Sequence, residues 1–324
     1  MFFTRGSIRA SVSPGSGVAP RPTGRTHMER TVDASAIDGD WQAAASAVAR
    51  RGRAEFLRAL LRSKTFMVGA AILLFWVLDA AFWPYFVPYD PEALASSATL
   101  APPSLTYWFG TDDLGRDVFS RTLAGASSTL MVAPAATSIG IAGGMLIGLC
   151  TGYFRGRLDD IVMRIVDSLL AFPLVIVAVL VMSVLGPSVV NVILVIGIIF
   201  MPYVARTVRA AVMVERERDY VAAARLLGNS SHAIMFGEIL PNITAPIAVE
   251  ATIRFGYAIF TSATLSFLAL GIQQPSPDWG LTISIGRAFL QIAPWVVLFP
   301  AGALATLIVA VNLTGDGLRQ VLEE

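Results

Sequence analysis

The sequence predicts an all-α integral membrane protein with six transmembrane helices, and three observations carry that prediction. Six apolar stretches, 66–87, 129–153, 161–185, 189–213, 242–270 and 294–314, match the ~20 helical residues that a bilayer core of about 30 Å requires. Only 15% of the 324 residues are charged and 55% are hydrophobic, with a mean hydropathy of +0.66. A soluble domain of this length usually carries about a quarter charged residues, so a water-covered surface cannot be built from this composition. Basic residues, finally, alternate between successive loops.

Residues 1–50 read as a disordered cytoplasmic tail. Arg5, Arg9, Arg21 and Arg25 sit among Pro, Gly and Ser, and no apolar core of a cleavable signal follows them. Met28 is a second candidate first residue. Residues 51–122 hold a basic segment, the first span and a long outer loop. The basic segment begins near 41 and reads as an amphipathic helix, with Arg50, Arg51, Arg53, Arg58, Arg62 and Lys64 beside Phe56, Leu57, Leu60 and Leu61. Such arginines snorkel toward anionic headgroups while their stems cover apolar surface. Residues 123–324 form the core, with five spans and a polar loop at 215–241.

Charge sets the orientation. Eleven Lys and Arg precede the first span, whereas the loop 88–128 has Arg116 and Arg121 against Asp90, Glu92, Asp112, Asp113 and Asp117. Arg155, Arg157 and Arg164 follow the second span, and no charge lies at 186–188. The end of the fourth span and the loop after it carry Arg206, Arg209, Arg216, Arg218 and Arg225; the loop 271–293 has Arg287 alone. The alternation places both termini and the 215–241 loop in the cytoplasm.

The second span carries Gly140, Gly144, Gly148 and Gly152 in four-residue register, extended by Ala136. One helix face without side chains admits another backbone closely. The seam faces either a second membrane subunit or a helix of the same bundle. Pro173, Pro202, Pro294 and Pro300 are expected to interrupt their spans locally. Among charges at membrane depth, Arg164 and Asp167 are spaced to pair, as are Glu250 and Arg254. Asp79 in the first span and Glu250 are the carboxylates a proton-coupled carrier would use, but inverted repeats and paired midplane acids are not evident.

A net charge of +1 gives no reason to expect a nucleic-acid partner. Cys150, the single cysteine, lies in an apolar run, which excludes an internal disulfide or a cysteine metal cluster. His27 and His232 are the two histidines, too few for a histidine metal centre. No P-loop lysine motif and no clustered catalytic set occurs, so neither ATP hydrolysis nor membrane-bound enzyme chemistry is expected of this chain.

The polar loop is the most patterned part. Residues 215–227 read as a helix with Tyr220, Ala223, Ala224 and Leu227 on one face and Arg216, Asp219 and Arg225 around it. Gly228 suits the left-handed residue that closes it, Ser230 or Ser231 caps a second helix toward Leu240, and Pro241 starts the fifth span. This stretch resembles the EAA loop of bacterial ABC importer permeases. Ala223 and Ala224 match the alanines, Gly228 the glycine, and Ile239 and Pro241 the tail. Ala222 stands where the family usually has glutamate, a departure that bears on any ion pair with the ATPase and not on the loop's shape. Arg218, Asp219, Tyr220 and Arg225 complete the expected contact set.

Further segments resemble the C-type permeases of dipeptide, oligopeptide and nickel importers. They are Phe109 to Arg121, with Gly110, Thr111, Asp112, Asp113, Gly115, Arg116 and Asp117 before span two; Pro275 to Gly280 between spans five and six; and Asn312 to Arg319 at the end. The resemblance covers roughly 55–322 and implies the type I importer fold in a bacterial plasma (inner) membrane. It implies a heterodimer with a second permease, two ABC ATPase subunits below it, and an extracytoplasmic substrate-binding protein above it. ATP and magnesium would reside on the ATPases, with no cofactor in this chain. The helix in 215–241 would lie in a cleft of an ATPase, and ATPase closure would switch access from inside to outside. Di- or oligopeptides would pass between the two permeases; nickel chelates, glutathione, opines or sugars are the alternative cargo. The outer loops 88–128 and 271–293 would receive the binding protein, and Asp112, Asp113 and Asp117 are either an acidic patch for it or a capped helix start.

Overall fold

The computed structural model describes Glu55, Phe56 and residues 58–323. The tail expected over 1–50 and the beginning of the basic segment lie outside the described residues. The helices are α1 (Lys64–Phe86), α2 (Val118–Phe154), α3 (Gly156–Leu170), α4 (Leu174–Leu185), α5 (Val189–Glu215), α6 (Asp219–Leu226), α7 (Ser231–Asn242), α8 (Thr244–Phe267), α9 (Trp279–Gly286) and α10 (Trp295–Glu323). Among the described residues, α1, α2, α5 and α10 are each long and apolar enough to cross a membrane. The bent pairs α3–α4 and α7–α8 reach that length together, which makes six crossings if each pair is one span.

α1 begins where the Ser63 side chain accepts from the Phe66 N–H. It packs along α10 because glycines remove side chains from the crossing. A Cβ on Gly69 would stand 2.6 Å from the Thr314 nitrogen, and one on Gly317 would stand 2.6 Å from the Phe66 Cβ. The 312–319 segment is therefore helix, and α10 runs to Glu323 instead of ending near 314. Its glycines serve packing, not termination.

α2 starts at Val118 and not near 129, and at 37 residues it is about 55 Å long. The stretch 118–128 is too polar and small to register as apolar. Asp117 nevertheless accepts from the Ser120 N–H at 2.8 Å and caps the helix there. The boundary placed at 122 falls inside this helix.

The glycine seam belongs to the bundle itself. A Cβ on Gly140, Gly144, Gly148 or Gly152 would stand 2.5–2.8 Å from the Cβ of Phe200, Val204, Val208 or Val212 respectively, all on α5. Gly197 answers from the other side, where a Cβ would meet Ile139 and the Ala136 carbonyl. Two four-residue registers thus interlock without side chains on one wall.

Pro202 and Pro300, expected to interrupt their spans, lie inside the unbroken α5 and α10, whereas two other spans are sharply bent. The third breaks at Ala171, Phe172 and Pro173 into α3 and α4, bent by 88°. Pro173 removes an N–H and disfavours helix at the preceding residue, so the interruption is a sharp corner where a local kink was expected. Arg164 and Asp167 form no ion pair; the pair here is Arg209 with Asp159, at 2.5 Å. The fifth span begins after a 70° bend at Ile243, and Pro241 sits in the last turn of α7. Just before it, Ile234–Ile239 forms a π turn. Pro241 has no N–H for the Gly237 carbonyl and its ring crowds that oxygen; the widened turn relieves both.

Candidate functional site

The 215–241 segment stands on one end of the bundle. α5 ends at Glu215, and α6 starts after Arg218 rather than continuing the expected helix from 215. Asp219 opens α6 and Arg225 closes it, each on the favourable end of the helix dipole. Gly228 has φ +79°, its N–H donates to the Arg225 carbonyl and the Asn229 N–H donates to the Ala224 carbonyl. These are the two bonds of a Schellman closure. Ser230 then accepts from the Ala233 N–H and starts α7.

α6 turns a narrow face inward and leaves a broader one open. Val221 and Ala224 are buried against Ile234, Met235, Ile239 and Val212, while Ala222, Ala223, Leu226 and Leu227 point outward. Leu226 and Leu227 are 90% and 82% exposed. The face expected to carry Tyr220, Ala223, Ala224 and Leu227 is therefore split: Ala224 turns inward with Val221, and Ala223 and Leu227 stay open to a partner. Ile239 is wholly buried, so its role is support; Pro241 is exposed.

The segment is clamped to its base. Tyr220 Oη donates to Glu215 Oε1 at 2.9 Å and accepts from Asn242 Nδ2 at 3.3 Å, joining the end of α5 to the end of α7. Burial and the Glu215 carboxylate push the Tyr220 phenol up to about 12, so it remains a neutral donor. Arg216 Nη1 donates to the Tyr153 carbonyl at 2.6 Å, and Arg216 and Arg225 both lie over the Tyr153 ring, at 5.8 and 5.3 Å. Arg155 pairs with Glu217 at 3.2 Å. Arg218 approaches Glu215 at 4.0 Å with both partly in solvent.

At the opposite end, the 109–121 motif is a buried knot. Asp112 accepts from the N–H groups of Leu114 and Arg116 and from Arg116 Nε, the last at 2.6 Å. Gly110 (φ +74°) and Gly115 (φ +77°) turn the chain, and a Cβ on Gly115 would collide with the Ala95 carbonyl. Thr111 accepts from the Ala101 N–H and donates to the Ala98 carbonyl. Asp112 and Asp117 are 2% and 3% exposed, and Asp113 is half-buried. Of the two readings of this cluster, Asp112 and Asp117 take the capping one: Asp112 accepts from the turn N–H groups and Asp117 caps α2.

Sequence reasoning passed over Arg121 as a site residue. It is 1% exposed and donates to the carbonyls of Pro91, Pro275 and Ser276 at 2.9, 3.3 and 2.9 Å, tying the 88–128 and 271–293 loops together. Trp279 Nε1 reinforces this through the Thr122 carbonyl at 2.7 Å. Burial raises the Asp278 carboxyl, which nonetheless accepts from the Leu281 N–H to cap α9. An arginine beside acids in a loop gave no hint that its acceptors would be backbone.

Of the carboxylates at membrane depth, Glu250 pairs with Arg254 at 2.7 Å as expected, and Asp79 is buried with Oδ2 unpartnered. No group of three or more metal-binding side chains occurs among the described residues.

The arrangement is a helical membrane bundle with one clamped helix, apolar on its open face, at its end. The family model for the binding-protein-dependent transport system inner membrane component matches residues 144–324, and that for the N-terminal TM domain of oligopeptide transport permease C matches 53–103. The di/tripeptide transport system permease protein DppC of Pseudomonas aeruginosa is 38% identical over 275 residues, covering 83% of this chain and 91% of that protein. The dipeptide transport system permease protein DppC of Alkalihalophilus pseudofirmus is 39% identical, covering 83% and 88%. The glutathione transport system permease protein GsiD of Escherichia coli is 41% identical, covering 83% and 89%. A chain of the inward-facing MetNI methionine ABC transporter superposes with a TM-score of 0.52 at 19% identity, covering 62% of this chain and 96% of that one. The chain belongs to the family of binding-protein-dependent transport system inner membrane components, the permease subunits of ABC importers, and has their type I fold.

Proposed function

We propose that this chain is one of two permease subunits in an importer of di- and oligopeptides, set above two ABC ATPase subunits and fed by an extracytoplasmic binding protein. The observation that carries the reading is the outward apolar face of α6, Ala222, Ala223, Leu226 and Leu227, on a base fixed by Tyr220 and Arg216. A short helix with small side chains at its middle can lie deep in a cleft, and a rigid mount passes on the displacement it receives. The alternation of basic loops puts this face and both termini on the cytoplasmic side. The chain itself is a non-catalytic translocation subunit; ATP and magnesium belong to the ATPases. Ala222 leaves hydrophobic contact, instead of an ion pair, as the main term at the start of that interface.

The test is a cysteine at Leu226, in a Cys150→Ala background, cross-linked in inside-out vesicles carrying the ATPases. Cross-linking to an ATPase subunit, reduced when ATP is trapped, is expected. Labelling of Leu226→Cys from the periplasmic side only would end the reading. Peptide cargo is supported by the two peptide-transport relatives, while the 41% identity to the glutathione permease favours a second cargo. Uptake of labelled dipeptide and of labelled glutathione by reconstituted complex with its binding protein separates them.

A further inference from the structure

We propose that Arg254, with the aromatic rings around it, binds the α-carboxylate of the peptide inside the translocation passage. The inference rests on the importer reading above. Arg254 lies about halfway along α8 (Thr244–Phe267). Its guanidinium carbon sits 4.8 Å from the ring centre of Tyr203, 5.2 Å from Tyr257 and 5.7 Å from Phe200. Glu250 Oε1 accepts from Nε at 2.7 Å, and Glu250 Oε2 accepts from Thr207 Oγ1 at 3.2 Å. The two Nη atoms have no acceptor among the described residues, and the side chain retains 13% of its exposure.

This is an unusual way to hold a merely structural pair. Ionisable groups at this depth are costly against lipid and face a bundle interior or a water-filled passage. The exposed side of α1, with Leu74, Phe75, Leu78 and Phe82, has the uniformly apolar character of a lipid face. On α8 the exposed Tyr257 ring lies against the Arg254 guanidinium, so that an ionised pair stands behind the open side of this helix. Glu250 is a positioning residue: it spends Nε and fixes the guanidinium plane, and three rings hold that plane. The free edge is a fork matched to a carboxylate, the group that every unmodified peptide carries at one end. Cation–π contacts keep the cation soluble in the bundle between substrates, and a single fork binds weakly enough to release.

Two measurements on the reconstituted full complex with its binding protein test this. Arg254→Lys keeps the charge and loses the fork; peptide uptake about tenfold lower is expected, with ATP hydrolysis stimulated by loaded binding protein within about twofold of wild type. In a Cys150→Ala background, Tyr257→Cys is expected to react with a charged, membrane-impermeant thiosulfonate, more slowly during peptide turnover. Uptake that is unchanged, or that falls only in step with ATP hydrolysis, overturns the proposal, and so does a Tyr257→Cys that stays unlabelled. Should Arg254→Lys fail to assemble, the labelling decides. Absence of peptide uptake by the wild-type complex would instead refute the cargo reading, so the two failures are distinguishable.

Discussion

Tyr220 Oη donates to Glu215 Oε1 at 2.9 Å and thereby fixes the projecting helix α6 to the end of the span that leads into it. The same oxygen receives Asn242 Nδ2, so one hydroxyl ties both ends of the segment. Tyr220→Phe removes both bonds and keeps the ring. The stability cost should be about 1 kcal/mol, because the freed groups reach water. The larger effect should fall on coupling: ATP hydrolysis continues while uptake per ATP drops. The raised phenol pKa, about 12, means the bond is intact below the ordinary tyrosine value of about 10 and is lost as pH climbs through about 12. Coupling measured from neutral pH up to about 9 should show no step attributable to Tyr220; a step near neutrality that Tyr220→Phe abolishes would refute the assignment.

Leu226 and Leu227 are nearly free in the chain, so changing them should leave the fold alone. Leu226→Glu with Leu227→Glu is expected to move the thermal midpoint by no more than about 0.5 kcal/mol equivalent. The same double change should abolish co-purification of the ATPases, since two carboxylates would be desolvated in an apolar cleft. Wild-type recovery of ATPase on the double mutant would remove this face from the interface.

The apolar runs were enough for four span-length helices and for two further stretches that reach that length only as bent pairs, and a four-glycine register was enough for a close helix contact. Which helix filled that contact was not legible, because a smooth face is equally suited to a neighbour in the bundle or in another subunit. Phe200, Val204, Val208 and Val212 answer it only once both helices are placed. Helix starts were missed where polarity hid them, as at Asp117, and the corner at Pro173 was sharper than a proline in a membrane helix requires. The facing of α6 depended on what it packs against. Ala223 and Leu227 stayed on the open side, while Ala224 was drawn inward by the apolar floor of Ile234, Met235 and Ile239, which the sequence of α6 alone does not reveal.

Neighbouring glycines on α2 provide a controlled comparison. At Gly144 an added Cβ would stand 2.5 Å from Val204 Cβ and 2.7 Å from the Met201 carbonyl, neither of which can move without the helix. At Gly143 the obstacle is Met201 Cε and Sδ at 2.6 Å, the loose end of a flexible side chain. Gly144→Ala should therefore cost about 1–3 kcal/mol through overpacking. Gly143→Ala should be neutral or gain up to about 1 kcal/mol from the reduced backbone entropy. Thermal melting in detergent ranks the two, and equal midpoints would contradict the seam.

Arg121 offers the sharpest test of the outer knot, because its partners belong to two loops far apart in sequence. Arg121→Met would strand the carbonyls of Pro91, Pro275 and Ser276 and deprive Asp112 of a cation 3.8 Å away. Breaking a buried charge network by removing one member costs about 3–5 kcal/mol. Arg121→Lys keeps the charge but cannot reach three acceptors on one rigid fork, so its loss should be smaller and still measurable. The expected signature is new protease cleavage within 88–117, with the glycine seam and α6 still protected, and weaker stimulation of ATP hydrolysis by the binding protein. If Arg121→Met instead melted as a unit with the rest of the bundle and opened no site in 88–117, the two loops would be held by their own turns and by Trp279. The arginine would then be a passenger in a knot tied by Asp112 and Arg116.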